Sequence, residues 1–140
     1  MSDIRVGTEI PPLELPPISR STLALYAGAS GDHNPIHIDS DFARAAGMPD
    51  VFAHGMLSMA YLGRMLTDWQ PQSRLRRFGA RFAAITELQD VITCSGTVVE
   101  LMEREGETIA RCEIRVQKAS GETTLMGEAL VAVQTNSEKQ

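Results

Sequence analysis

Little in this chain suits it to a membrane, a nucleic acid or an oxidising compartment. Its longest apolar segment, Met56 to Leu66, contains Arg64 and falls short of the roughly 20 residues a bilayer requires. Met1-Ser2-Asp3-Ile4-Arg5 lacks the charged-then-apolar layout of a signal peptide. There is no basic run, and with a net charge of -5 and a pI near 5.1 the electrostatic case for nucleic-acid binding is absent. Only two cysteines occur, Cys94 and Cys112, each alone in a strand-like stretch. They read as small core residues rather than as a disulfide or a metal pair, and the expected location is the reducing cytoplasm.

What is present fits one globular domain. The 140 residues are 43% hydrophobic and 22% charged, enough to bury a core. A short strand is expected over Arg5 to Ile10, and Pro11, Pro12, Pro16 and Pro17 then break the pattern. Ser19 caps a helix carrying Leu23, Tyr26 and Ala27 at helical spacing, ended by Gly28 and Gly31. Asp39 or Ser40 caps a short helix over Asp41 to Ala46, stopped by Gly47. Met56 to about Asp68 is apolar nearly all round and predicts a buried helix, closed by Trp69 and Pro71.

Beyond Leu75 the period changes to two. Phe78, Ala80, Phe82 and Ala84 share one face of a strand. Val91 to Glu100 follows, and then Ile109 to Lys118, with Ala110, Cys112, Ile114 and Val116 inside. Thr123 to Val133 is the last strand. Glu105-Gly106 and Ser120-Gly121 mark turns of an antiparallel meander. The tail from Thr135 to Gln140 is polar and expected to fray. A central helix wrapped by a curved antiparallel sheet, an α+β arrangement, buries both economically, and edge-to-edge pairing in a dimer would cover the open strand edges.

The chemistry concentrates in Ser30-Gly31-Asp32-His33-Asn34-Pro35-Ile36-His37, which packs two imidazoles, a carboxylate and a carboxamide into a bend. A second unusual stretch, Ala53-His54-Gly55-Met56-Leu57, opens the apolar helix. Tyr26 to His37, Ala53 to Leu57 and the flanking Asp39, Phe42 and Ala43 together resemble the MaoC-like, (R)-specific enoyl-CoA hydratases. The resemblance covers roughly residues 5 to 134 of a single domain spanning 1 to 140. It implies a hot-dog fold, usually dimeric. It also implies an acid–base pair, Asp32 and His37, a supporting Asn34, and a Gly55 N–H that meets the thioester carbonyl. The implied partner is an acyl-CoA or acyl-carrier-protein thioester, with no cofactor, no metal, no membrane and no nucleic acid. A homodimer is expected, or a heterodimer with another hot-dog chain.

These residue types suit the reaction. Hydration of a trans-2-enoyl thioester needs water deprotonated at C3, a proton delivered to C2, and a stabilised carbonyl oxygen. An imidazole titrating near neutrality and a carboxylate meet the first two needs. The unpaired N–H groups and dipole of a helix start meet the third, and glycine leaves the approach open.

Plainer readings stand beside these. Asp32 and Asn34 are also turn formers, and Ser30 reads as one. His33 has no assigned role. His54 reads as structural, its ring pinning the loop. Asp32, His33, His37 and Asp39 are a weaker metal set. Met48, Met56, Met59 and Met65 read as core. Arg74, Arg76, Arg77 and Arg81 are a solvated strand face or, in the sharper reading, a landing site for CoA phosphates or an acidic carrier. Two rival functions remain: a hot-dog thioesterase, for which the helix offers only Asp68 near its far end, and a non-catalytic or partner-dependent subunit.

Overall fold

The period-two stretches form strands, and these join into one antiparallel sheet. A computed structural model describes residues 3–134. In chain order the elements are β1 (Glu9–Glu14), α1 (Arg20–Ser30), a single 3-10 turn (Pro35–His37), α2 (Ser40–Ala45), α3 (Gly55–Trp69), a second 3-10 turn (Gln72–Arg74), β2 (Leu75–Phe82), β3 (Ile92–Arg104), β4 (Glu107–Lys118) and β5 (Thr123–Val133). The strands lie in the order β1-β3-β4-β5-β2, each antiparallel to its neighbours. The expected α+β arrangement is met: α3 lies against one sheet face and touches β1, β2, β3 and β4. The terminal tail expected to fray lies outside the described residues.

The core follows the predicted alternation. Cys94, Val98, Ala110, Cys112, Ile114, Val116, Leu125 and Val131 point to the helix and are buried, as are Leu57, Leu62, Met65 and Leu66 of α3. Both cysteines are free thiols, and burial pushes each thiol up to about 12. They cannot meet: Cys94 faces Val116 and Cys112 faces Val98 in the β3–β4 register. The sheet also carries a small apolar cluster on its other face, where Ile109, Leu130 and Ala132 pack with Met102.

Several boundaries differ from expectation, each for a physical reason. The first strand begins later, at Glu9, and contains both Pro11 and Pro12. It is an edge strand, and its register slips between Ile10 and Leu13, so the two residues that lack an N–H sit in a bulge. Gly28 does not end α1; Gly31 does, in a left-handed conformation at φ 76°. β3 and β4 run on to a two-residue turn at Glu105-Gly106, both at positive φ (53° and 81°), so the charged Glu103 and Arg104 are drawn into the hairpin. Ala84 lies beyond the end of β2.

α3 is not buried all round. One sheet covers one side, and Met56, Ala60 and Arg64 remain exposed; Met56 at 54% is not a core residue. The basic residues near β2 also separate. Arg76 forms a two-pronged ion pair with Glu107 at 2.6 and 2.9 Å. Arg74 lies beside Trp69 and Pro71, whereas Arg77 and Arg81 line the outer sheet face. They do not make one landing site.

Candidate active site

The polar loop is built by its own short side chains. Gly31 turns the chain out of α1, its N–H donating to the Ala27 carbonyl at 3.0 Å. The Asp32 N–H then donates to Ser30 Oγ, the Asn34 N–H to Asp32 Oδ1 and the Ile36 N–H to Asn34 Oδ1, at 3.2, 3.2 and 3.1 Å. Such local side-chain-to-backbone bonds are the chemistry of turns. Pro35 starts the 3-10 turn with its φ preset and no N–H to satisfy. The loop is therefore rigid without secondary-structure pairing. It leaves Asp32 exposed and His37 buried.

His37 is fixed from two sides. Its Nδ1 lies 2.8 Å from the Phe52 carbonyl, which can only accept, so Nδ1 carries a proton and the neutral ring presents its lone pair at Nε2. The Phe52 ring meets the imidazole edge-on at 5.1 Å. On the opposite side the ring stacks on His54, with centroids 3.9 Å apart and planes 25° from parallel.

His54 is 2% exposed and directly precedes Gly55, the first residue of α3. Its Nε2 lies 3.2 Å from the Asp32 carbonyl, so this ring donates through Nε2. The expected structural role holds: the ring ties the loop to the helix start. Burial holds the His54 imidazole below its ordinary range; the bond to the Asp32 carbonyl and the Asp32 charge oppose that shift, and the neighbouring His37 adds to it. Tyr26 packs edge-on against His54 at 4.9 Å, and its hydroxyl is raised by burial and then by the Asp32 charge.

Asp32, His37 and His54 thus offer ligand or proton-transfer atoms all within 4.8 Å of one another. Asp32 and His37, predicted as a pair, are brought together. Of the weaker metal set, Asp39 caps α2 by accepting from Asp41 and Phe42, and His33 is exposed. His54 takes their place. In each ring one nitrogen donates to a carbonyl, which leaves one lone pair per neutral imidazole near the Asp32 carboxylate.

Gly55 stands at the mouth of a cleft of about 310 Å³, lined by Phe52, His54, Gly55, Ser58, Phe82 and Leu125 among others. A Cβ at Gly55 would lie 3.3 Å from the Phe82 ring, so glycine leaves the passage between helix start and strand open. A larger hollow, about 580 Å³, lies on the outer sheet face among Arg77, Arg81, Arg111 and Arg115 and holds no imidazole. Of the trio only His54 lines the smaller cleft; Asp32 and His37 meet it through that ring. Sequence reasoning missed three contributors. The Phe52 carbonyl is main chain and carries no residue signal. Tyr26 opens the stretch that carries the resemblance but was given no role beyond its helix position, and Phe82 looked like an ordinary strand position.

Comparison with known proteins gives the family and the fold. The model of the MaoC like domain family matches residues 6–122. The chain is 32% identical over 123 residues to the (R)-specific enoyl-CoA hydratase of Rhodospirillum rubrum, covering 83% of this chain and 80% of that protein. It is 34% identical over 82 residues to the fatty acid synthase subunit beta of Saccharomyces cerevisiae, where it spans 56% of this chain but 4% of that subunit. In three dimensions it resembles the (R)-hydratase from A. caviae involved in PHA biosynthesis, with a TM-score of 0.82 at 26% identity, over 94% of this chain and 98% of that one. The helix-on-sheet arrangement is the hot-dog fold.

Proposed function

Because this chain belongs to the MaoC-like domain family, we propose that it reversibly adds water to trans-2-enoyl thioesters, giving (R)-3-hydroxyacyl thioesters. The observation that carries this reading is the convergence of Asp32 and His37 within 4.8 Å, beside the open start of α3. Water lies between the Asp32 carboxylate and His37 Nε2. One of these groups takes its proton as the oxygen bonds to C3. The electron pair of the C2–C3 double bond moves toward the thioester carbonyl, and the enolate collapses as C2 takes up a proton. Dehydration is the same path reversed.

His37 suits the basic role because its Nδ1–H is already held by the Phe52 carbonyl. Asp32 has one carboxylate oxygen engaged by Asn34, which leaves the other to hold water. The Gly55 N–H is one of the four that a helix start leaves without an intrahelical acceptor, and it receives the carbonyl oxygen as charge builds there. Water adds across the double bond with no net oxidation or reduction, so the reaction calls for no redox cofactor. The acyl group comes as a CoA or carrier-protein thioester. The active form is a homodimer, with a heterodimer as the alternative. A thioesterase reading finds less support, since Asp68 lies at the far end of α3, exposed and beside Arg64.

The test is hydration of crotonyl-CoA and longer enoyl-CoAs by the purified chain, followed by loss of the enoyl-thioester absorbance and by the configuration of the product. Asp32→Asn and His37→Gln should each lower kcat on the order of 10²–10⁴-fold with the circular dichroism unchanged. Full activity in both variants removes the assignment, and activity only on co-expression with a second hot-dog chain favours the partner-dependent form.

A further inference from the structure

His54 occupies a position where a helix normally begins with Ser, Thr, Asp or Asn, whose side chains bond the first N–H groups. Here the residue before Gly55 makes no such cap. Its ring turns away from the helix and back to the loop, where Nε2 meets the Asp32 carbonyl at 3.2 Å. A short capping side chain would have occupied the N–H groups that begin α3. The His54 side chain leaves them uncapped, only the Leu57 N–H meeting the His54 carbonyl at 3.1 Å, and gives its one proton to the main chain of the proposed acid–base residue.

The other ring nitrogen decides the tautomer. His54 Nδ1 is buried and has no hydrogen-bond partner among the described residues. If Nδ1 carried the proton, an N–H would be buried unpaired, and the Nε2 lone pair would face a carbonyl oxygen. The Nε2–H tautomer is therefore the one the surroundings select. The ring is also clamped, with Tyr26 edge-on at 4.9 Å and His37 stacked at 3.9 Å. One rigid imidazole thus touches the Asp32 backbone, the face of His37 and the residue that begins α3.

We propose that His54 is the positioning residue of this site, setting Asp32 and His37 in register with the Gly55 N–H while leaving the start of α3 uncapped. This rests on the reading of Asp32 and His37 as the acid–base pair. It goes beyond a merely structural role because it concerns which nitrogen donates and to what. It predicts opposite results for two nearly identical substitutions. The carboxamide nitrogen of Gln reaches about as far as Nε2 and can still donate to the Asp32 carbonyl. Asn is shorter, places its amide near the Nδ1 position, and is itself a good cap for the helix that follows.

The experiment compares His54→Gln and His54→Asn in the enoyl-CoA hydration assay, with thermal unfolding beside it. His54→Gln should keep kcat within a few-fold of the parent. His54→Asn should lose on the order of 10²-fold in kcat with KM little changed, the size expected when reacting groups are displaced by about 1 Å. Its melting temperature should be no lower than that of His54→Gln. Equal kcat in the two variants, high or low, overturns the proposal. A second measurement needs no variant: nitrogen-15 spectra of the histidines in the wild-type chain should give Nε2–H for His54 and Nδ1–H for His37 near neutral pH. An Nδ1–H form of His54 overturns it as well. The wild-type assay, which the hydratase reading must pass, depends on neither the variants nor the spectrum, so the two failures are told apart.

Discussion

Asn34 shows how one side chain can be assigned between two jobs. Its Oδ1 accepts the Ile36 N–H at 3.1 Å and caps the 3-10 turn that carries His37 inward. That role needs an acceptor and makes no use of the amide nitrogen. Asn34→Asp should therefore keep the turn and most of kcat. Asn34→Ala should lose the cap, at a cost of about 1 kcal/mol in stability, and with it the placement of His37. Chemical denaturation and steady-state kinetics on the two variants check this; an inactive but stable Asn34→Asp would move Asn34 from holding the loop to holding water through its amide. Asp32 and Asn34 therefore satisfy the turn-forming reading and remain available for the chemical one. Sequence alone left those two open because the same residue types serve both, and only the direction of each hydrogen bond separates them.

The segments around the site are held by a hub that residue patterns did not suggest. Asp50 accepts from both terminal nitrogens of Arg20, from Ser40 Oγ at 2.7 Å and from the Val51 N–H at 2.7 Å, with Arg44 nearby at 3.5 Å. It ties α1 and α2 to the segment that leads into α3. The Arg20 guanidinium, then Ser40 and the Val51 N–H, hold its carboxyl well below the usual carboxylate range. A depressed carboxylate contributes stability above its unfolded value of about 3.9, and that contribution is lost as pH falls. Asp50→Asn should thus lower the melting temperature at pH 7, and the gap to the parent should begin to narrow below about pH 4 and go on narrowing as the pH falls toward the depressed folded value, as read by calorimetry. A constant gap across pH would assign the effect to shape rather than charge. Elements with strong local signals were legible: the Ser19 cap, α3, the alternation of β4 and the limits of β5 all came from periodicity and turn residues. Asp50 was not, because its partners Arg20 and Ser40 are 30 and 10 positions away. Nor was the proline-bearing β1, whose strand status depends on pairing with Thr93 to Thr97.

At the scale of the molecule the two sheet edges are unequal. β1 carries Pro11 and Pro12, which cannot donate and which blunt that edge. β2, the opposite edge, has eight residues and no proline. Beside it, three large apolar side chains stand open to solvent: Met56 at 54%, Phe82 at 52% and Ile85 at 44% exposed. Phe82 and Ile85 line the cleft that Gly55 opens. A second copy laid along β2 would pair the free backbone groups and cover these side chains, completing a wall that one chain leaves unfinished. Sequence reasoning anticipated an edge-paired dimer but could not say which edge, since that depends on the order β1-β3-β4-β5-β2. The purified chain should therefore sediment at about twice 15.3 kDa. Its urea midpoint should rise with protein concentration, because association stabilises by mass action. Phe82→Glu places a charge on the surface that pairing would bury; it should shift the chain toward monomer and weaken hydration in parallel. A monomeric Phe82→Glu chain with undiminished kcat would show that one copy suffices for the chemistry and that the exposed wall has another use.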